Sequence, residues 1–114
     1  MWSVEYAAGA ERDFELIFDH LFASYVDLGE APRAALERAA ERILGIRGAI
    51  DPLGGTPFIG TSRPDIGQGV RFLRRDGAAV WFVPDRERKV VSVLAIFFGA
   101  QDHIRHILLR VLGG

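Results

Sequence analysis

Three β-strand patterns separated by short turns occupy the second half of the chain, and their spacing limits the possible folds more than any other feature. Val70–Arg74 and Ala78–Val83 flank Asp76-Gly77, a pair typical of a tight β-hairpin. A nearly unbroken apolar run, Val90–Phe98, follows. Because both faces of that run are apolar, it is predicted to form a central strand that is covered on both sides.

Two helical patterns precede these strands. Apolar residues recur at helical spacing from Ala10 up to Gly29, a residue that commonly ends helices. A second pattern runs from Pro32, which suits a first helical position, to Arg47. Because only a few residues join them, the two helices are predicted to form an antiparallel hairpin that covers one face of the sheet. The other face then requires a C-terminal element or a partner protein.

The two ends of the chain complete the element order. Trp2, Val4 and Tyr6 alternate with polar residues, which predicts a short first strand, and Gln101–Leu112 has the spacing of a short amphipathic helix. The order β-α-α-β-β-β-α predicts one α+β domain over residues 1–114, with a small, twisted, mainly antiparallel four-stranded sheet and the helical hairpin packed on one face. The predicted core is Phe14, Ile17, Leu21, Leu36, Ile43, Val70, Phe72, Val80, Phe82, Val91 and Val93.

Charge is distributed unevenly along the chain. Residues 1–56 contain ten acidic residues and five arginines, whereas residues 57–114 contain nine basic and five acidic residues. A basic half can meet an acidic protein or a phosphate backbone, although solvated loop charge is the simpler explanation. Arg71 stands out because a guanidinium on an otherwise apolar strand needs either an internal partner, such as a carboxylate or loop carbonyl, or an external anion.

Several classes of chemistry are excluded. The chain has no cysteine, which removes disulfides and Cys-ligated zinc, and it lacks a phosphate-binding loop, a dinucleotide fingerprint and an HExxH site. No apolar run approaches the roughly 20 residues of a membrane span. The first fifteen residues lack the basic start and apolar stretch of a signal peptide. We therefore expect a cytoplasmic protein with no cofactor, no metal ion and no membrane partner.

The three histidines are the only candidates for a general base near neutral pH. His20 lies on the polar side of the first helix and is predicted to be a surface residue. Asp102, His103 and His106 cluster at the start of the last helix. The two histidines, three residues apart, share a helix face and could hold a metal or activate a hydroxyl. Alternatively, Asp102 caps the helix and the histidines flank its apolar stripe.

Three segments carry a resemblance to a known family. They are the loop GGTP at residues 54–57, RPDIGQGVR at residues 63–71 and the ending VLAIFFGAQDH at residues 93–103. Together with the element order over nearly the whole chain, they resemble the RelE/ParE superfamily of type II toxins. That family commonly has a GTP loop, a segment ending in an arginine that enters the first hairpin strand, and a final strand followed by a glycine.

This resemblance implies a small toxin that a neighbouring antitoxin binds and neutralises, in a toxin–antitoxin hetero-oligomer. RelE-like members cleave mRNA on the ribosome, and ParE-like members poison DNA gyrase. The nuclease type places His, Tyr or a basic residue directly after the last strand, where this chain has Phe98-Gly99-Ala100-Gln101. The resemblance therefore favours a ParE-like gyrase inhibitor that is not an enzyme. A ribosome-dependent endoribonuclease, or a degenerate member that only binds its antitoxin, remains the alternative.

Two sets of site residues follow from the two readings. The partner-binding residues are predicted to be Arg63, Arg71, Arg74, Arg75, Trp81, Phe97, Phe98 and Asp102. If the chain is instead a nuclease, the catalytic candidates are Arg71, which matches the family's strand arginine, together with His103 and His106.

Overall fold

The chain forms a mixed sheet with three α-helices. A computed structural model describes residues 1–99 and 103–113. The elements in chain order are β1 (Ser3–Tyr6), α1 (Ala8–Asp27), α2 (Pro32–Ile50), a short 3₁₀ helix (Asp51–Gly55), β2 (Thr61–Ser62), β3 (Arg71–Arg75), β4 (Ala78–Asp85), β5 (Val90–Phe98) and α3 (His103–Gly113). Within those described ranges, no helix is both long enough and apolar enough to cross a membrane.

The strands form one five-stranded sheet in the order β1-β5-β4-β3-β2. β1 lies parallel to β5, and the other pairs are antiparallel. The predicted α+β architecture is confirmed, but the strand number of four was wrong. The additional strand is β2, in which Thr61 and Ser62 pair with Phe72 and Arg71. Two residues are too few to produce an alternating pattern, and this strand lies in a connection, residues 48–69, that is rich in glycine and proline.

β5 is covered on both faces, as its two-sided apolar pattern predicted. Val91 and Val93, and Ile96 beyond an irregularity in the pairing of β4 with β5, pack with α1 and α2 in the larger core cluster. Ala95 and Phe97 point the other way and pack beneath Ile107 of α3 in a second cluster. Ile107 has no exposed surface. The C-terminal helix, rather than a partner, therefore covers the second face of the sheet.

Most of the predicted core is buried, with one clear error. The confirmed residues are Phe14, Ile17, Leu21, Val70, Val80, Phe82, Val91 and Val93. Ile43 and Phe72 are only partly buried, and Leu36 is 45% exposed. The sequence offered a wide apolar stripe on α2, but the buried line runs through Ala35, Ala39, Ile46 and Ile50. Leu36, one position beyond Ala35, is turned toward solvent because neighbouring helical positions are about 100° apart.

Two leucines of the helical hairpin provide a matched test of this packing. Leu21 on α1 is 6% exposed, whereas Leu36 on α2 is 45% exposed. We expect Leu21→Ala to lower the free energy of unfolding by about 2–5 kcal/mol, because it removes buried methyl groups and leaves a cavity. Leu36→Ala should cost less than about 1 kcal/mol. Urea unfolding followed by circular dichroism measures both, and similar losses for the two variants would contradict this packing.

The GGTP loop has a structural role at the start of the sheet. The backbone N–H of Trp2 donates a hydrogen bond to the carbonyl of Gly54 (3.0 Å). A Cβ atom at position 54 would collide with the carbonyl oxygen of Trp2. Only glycine lets the two backbones approach this closely, so Gly54 allows the N-terminal segment to lie against the 3₁₀ helix.

Candidate functional site

A cluster of aromatic and basic side chains lies where α3 begins on the sheet. The His103 ring stacks on Phe72, with ring centroids 5.2 Å apart, and Phe72 contacts Trp81 at 4.7 Å. Arg74 Nη2 lies 3.1 Å from His103 Nε2. Phe72 and Arg74 reach this face because alternate residues of β3 point to the same side of the sheet. The cluster therefore holds the first turn of α3 against β3 and β4.

The contact between Arg74 and His103 assigns a hydrogen-bond role to each side chain. A guanidinium has donors and no acceptor, so Nε2 of His103 must accept the hydrogen bond. A general base would need the lone pair that Nε2 directs at Arg74. His103 thus packs on Phe72 and accepts from Arg74 in this arrangement, and its catalytic role in the nuclease alternative stays a prediction.

Arg63 belongs to the same face but is already neutralised. It donates two hydrogen bonds to Asp65, from Nε to Oδ1 (2.9 Å) and from Nη2 to Oδ2 (2.8 Å). Its guanidinium lies 5.4 Å from the centre of a Trp81 ring. The hydrogen bond from Arg63 lowers the pKa of Asp65 below its ordinary value. An incoming anion would have to compete with this carboxylate.

Arg71 and Arg75 lie on the opposite face of the sheet, toward the helical hairpin. Arg71 donates from Nε to the carbonyl of Ile59 (3.0 Å) and from Nη2 to the carbonyl of Gly60 (3.2 Å). Arg75 donates to the carbonyl of Ala49 at the end of α2 (3.1 Å). Of the alternatives left open for Arg71, the structure shows loop carbonyls. The four arginines predicted to bind a partner are thus divided between two faces of the sheet and do not form one patch.

The remaining predicted site residues occupy different surroundings. Trp81 has no exposed surface and Phe97 is 6% exposed. α3 and the sheet enclose both side chains, and their predicted role in partner binding stays a prediction. Phe98 is half-buried, with the Arg42 guanidinium 5.3 Å from its ring centre. Asp102, the predicted helix cap and partner contact, lies outside the described residues.

The other two histidines lie apart from the Arg74–His103 contact. His106 is exposed, and its ring centroid lies 5.6 Å from that of Phe97. His20 is exposed on α1, as predicted. Among residues 1–99 and 103–113, no three His, Cys, Asp or Glu side chains are placed to hold a metal ion.

A buried ion pair between Asp13 and Arg110 was missed by the sequence analysis. Asp13 Oδ2 accepts from Arg110 Nη1 (2.7 Å) and from the backbone N–H of Ile96 (2.9 Å), while Oδ1 accepts from Arg110 Nη2 (3.0 Å). Arg110 Nη1 also donates to the carbonyl of Leu94 (3.1 Å). The hydrogen bond to Asp13 raises the pKa of Arg110. One sequence signal was present, since Asp13 lies four residues before Ile17 on the apolar stripe of α1.

Two solved structures resemble this one over most of its length. One comes from the chromosomal ParDE toxin–antitoxin system of P. aeruginosa, with 24% sequence identity and a TM-score of 0.55 over 86% of this chain and 96% of that chain. The other comes from the RelBE2 toxin–antitoxin complex of Mycobacterium tuberculosis, with 17% identity and a TM-score of 0.52 over 86% and 98% of the two chains. This chain has the RelE/ParE fold. No protein-family model and no curated protein sequence matches it.

In this example of the RelE/ParE fold, α3 leaves a large apolar surface uncovered. Its outer side exposes Leu108, Leu109 and Leu112, which are 37%, 58% and 82% exposed. A cleft of about 300 Å³ separates α3 from α1, and Leu16 and His20 form part of its wall. Clustered exposed leucines on a short helix are typical of a protein-binding surface. We refer to Leu108, Leu109 and Leu112 as the α3 surface.

Proposed function

We propose that this chain is the toxin of a type II toxin–antitoxin module and that a cognate antitoxin binds it. In this proposal the toxin acts on DNA gyrase in a ParE-like manner, without catalysing a reaction. The observation that carries the toxin role is its fold. The two matched chains cover 86% of this one, and both come from toxin–antitoxin systems. The motif order at residues 54–57, 63–71 and 93–103 supports the same assignment.

The choice of a binding mechanism rests on the groups available for acid–base chemistry. Cleaving RNA requires a base for the 2′-hydroxyl and an acid for the leaving oxygen. His103 Nε2 faces Arg74, as described above. Tyr6 donates its hydroxyl to Asp51 Oδ1 (2.8 Å), and burial raises its pKa above the ordinary value for tyrosine. Tyr6 and Tyr25 pack with the helical hairpin, away from the face that carries Arg74. These arrangements favour binding over catalysis.

The antitoxin is proposed to bind the α3 surface and the adjoining cleft. Large exposed side chains on the last helix offer apolar area that a partner helix or extended segment can bury. The excess of basic residues after position 56 should speed association with an acidic partner and make its rate sensitive to salt. The toxin would be released when the antitoxin is removed.

Co-expression with the adjacent gene product tests this partner claim. We expect co-expression to rescue growth and to yield a complex that can be purified. The double variant Leu109→Glu, Leu112→Glu should weaken the complex by about tenfold or more, because it places two charges inside an apolar interface. Leu36→Glu is the matched control, since Leu36 is also exposed but lies on α2. Isothermal titration calorimetry gives the affinities. Two outcomes would contradict this assignment. One is the absence of both rescue and a complex, and the other is an equal loss of affinity in the double variant and in the Leu36→Glu control.

One observation keeps the endoribonuclease alternative in consideration. Arg74 and His103 are 3.1 Å apart at the start of α3, and a substrate phosphate that attracted Arg74 would free the histidine lone pair. Two assays with the purified chain separate the functions. Inhibition of gyrase supercoiling with intact mRNA on ribosomes supports our proposal. Cleavage of mRNA on ribosomes together with normal supercoiling would instead support the endoribonuclease. Inactivity in both assays would indicate a degenerate member.

A further inference from the structure

An open groove of about 580 Å³ lies at the end of the sheet near β2 and the β4–β5 turn. Its wall includes Phe58, Ser62, Arg71, Asp85 and Arg86. The two arginines come from different elements, β3 and the β4–β5 turn, and meet only in the folded chain. The groove shares no lining residue with the cleft between α1 and α3.

Both guanidiniums in this groove are fixed in position but not neutralised. Arg71 is held by the carbonyls of Ile59 and Gly60. The Arg86 guanidinium lies 4.1 Å from the ring centre of Phe58. The Phe58 ring also makes an edge-type contact with Trp2, with ring centroids 5.4 Å apart. Among the ion pairs of residues 1–99 and 103–113, none includes Arg71 or Arg86.

Most other arginines in the described ranges differ in this respect. Arg42, Arg47, Arg63 and Arg110 each lie within 2.9 Å of a carboxylate oxygen. Carbonyl oxygens accept from Nε and Nη2 of Arg71 but leave its full positive charge. A guanidinium presents parallel donors that match the two oxygens of a carboxylate. Among the described residues, the two guanidiniums of the groove are thus not paired with a carboxylate.

We propose that this groove binds a carboxylate side chain that a partner protein presents on an extended segment. Asp85 lies in the groove wall, where its Oδ1 accepts the backbone N–H groups of Glu87 (3.0 Å) and Arg88 (3.1 Å), and Glu87 is also in the wall. The negative charge of these two acids disfavours a continuous phosphate chain, whereas a single carboxylate needs to approach only the guanidiniums. A peptide therefore fits the groove better than a nucleic acid does.

The sheet edge beside the groove supplies backbone groups for such a segment. β2 is the last strand of the sheet. The N–H of Arg63 donates to the carbonyl of Val70 (2.8 Å), so the backbone groups of the preceding residue, Ser62, point away from β3 by the alternation of an antiparallel ladder. An unpaired edge of this kind can accept an added strand. The test of this binding site does not depend on gyrase or on the α3 surface.

Titration of the purified chain with a defined peptide tests the proposal. The probe is acetyl-Thr-Val-Thr-Glu-Thr-Val-Thr-amide, and the matched probe has Gln in place of Glu. We expect the Glu peptide to shift the backbone amide signal of Ser62 in a ¹⁵N–¹H NMR spectrum and to bind at least about fivefold more tightly than the Gln peptide. Arg86→Gln should weaken the Glu peptide by a similar factor at an unchanged melting temperature. Arg12→Gln, a change to an exposed arginine on α1, should have no effect.

Four results would overturn the proposal. The first is that the Glu peptide does not bind at about 10 mM, and the second is that both peptides bind with equal affinity. The third is that the parent and Arg86→Gln bind the Glu peptide equally well. The fourth is that a short polyuridine oligonucleotide binds in a manner that requires Arg86 while the Glu peptide does not bind. The last result would assign the groove to single-stranded nucleic acid.

Arg71→Lys provides a second variant, because it keeps the positive charge and removes the forked guanidinium. It should weaken the Glu peptide while the spectrum remains that of a folded chain.

Discussion

Replacing Asp13 by Ala should lower the free energy of unfolding by about 3 kcal/mol. The side chain of Asp13 is 4% exposed and that of Arg110 is 33% exposed. The substitution leaves a guanidinium without its counter-ion and leaves the N–H of Ile96 without an acceptor. Because Arg110 keeps some contact with water, the loss should be smaller than that for a wholly buried pair. Denaturant unfolding measures the change.

Asp19→Ala is the control for this variant, since Asp19 is exposed on the same helix. It should change stability by no more than about 0.5 kcal/mol. Hydrogen exchange gives a second readout, because the ion pair joins α3 to α1 and β5. In Asp13→Ala the amides of α3 should exchange faster, while those of β4 are much less affected. An Asp13→Ala variant as stable as the control would show that the pair does not hold α3.

Replacing His103 and His106 together by Gln should leave growth inhibition and gyrase inhibition within about twofold of the parent, because binding requires no proton transfer. An endoribonuclease would instead lose roughly 10²–10⁴ in rate when its acid–base groups are removed. Supercoiling and ribosome-cleavage assays on the purified variant measure the two activities. His20→Gln, on the surface of α1, is the matched control.

The interpretation of the double histidine variant depends on intact packing. His103 stacks on Phe72 and accepts from Arg74, so the melting temperature must be compared with that of the parent. Codon-specific cleavage of mRNA by the parent that disappears in a folded double variant would contradict the gyrase proposal. Arg71→Ala should reduce toxicity in either case. A change in melting temperature would trace that loss to the loop carbonyls that Arg71 holds.

Features that depend on local pattern were predictable from the sequence. The two-sided apolar run of β5 indicated a strand covered on both faces, and α3 supplies the second cover. The hairpin at Asp76-Gly77 joins β3 and β4 as expected, with both residues at positive φ. These features follow from the periodicity and turn preferences of nearby residues, which act over a few positions.

Features that depend on distant residues were not predictable. The contact between Arg74 and His103 joins positions 29 apart, and the pair of Asp13 and Arg110 joins positions 97 apart. No local pattern indicates which face of β3 meets α3, so the predicted partner-binding arginines could not be assigned to two different faces. The wide stripe on α2 likewise allowed two helix orientations, and Leu36 was assigned to the wrong one.

The parallel pairing of β1 with β5 has a consequence for the order in which the chain folds during synthesis. The strand partner of Ser3–Tyr6 is Val90–Val93, so the first strand cannot join the sheet until nearly the whole polypeptide has left the ribosome. Contacts of such long sequence separation form late and slow the overall rate. A nascent chain with α1 and α2 already formed still exposes the apolar faces that β5 will cover. Any activity of the assembled sheet therefore begins only when translation has passed the last strand.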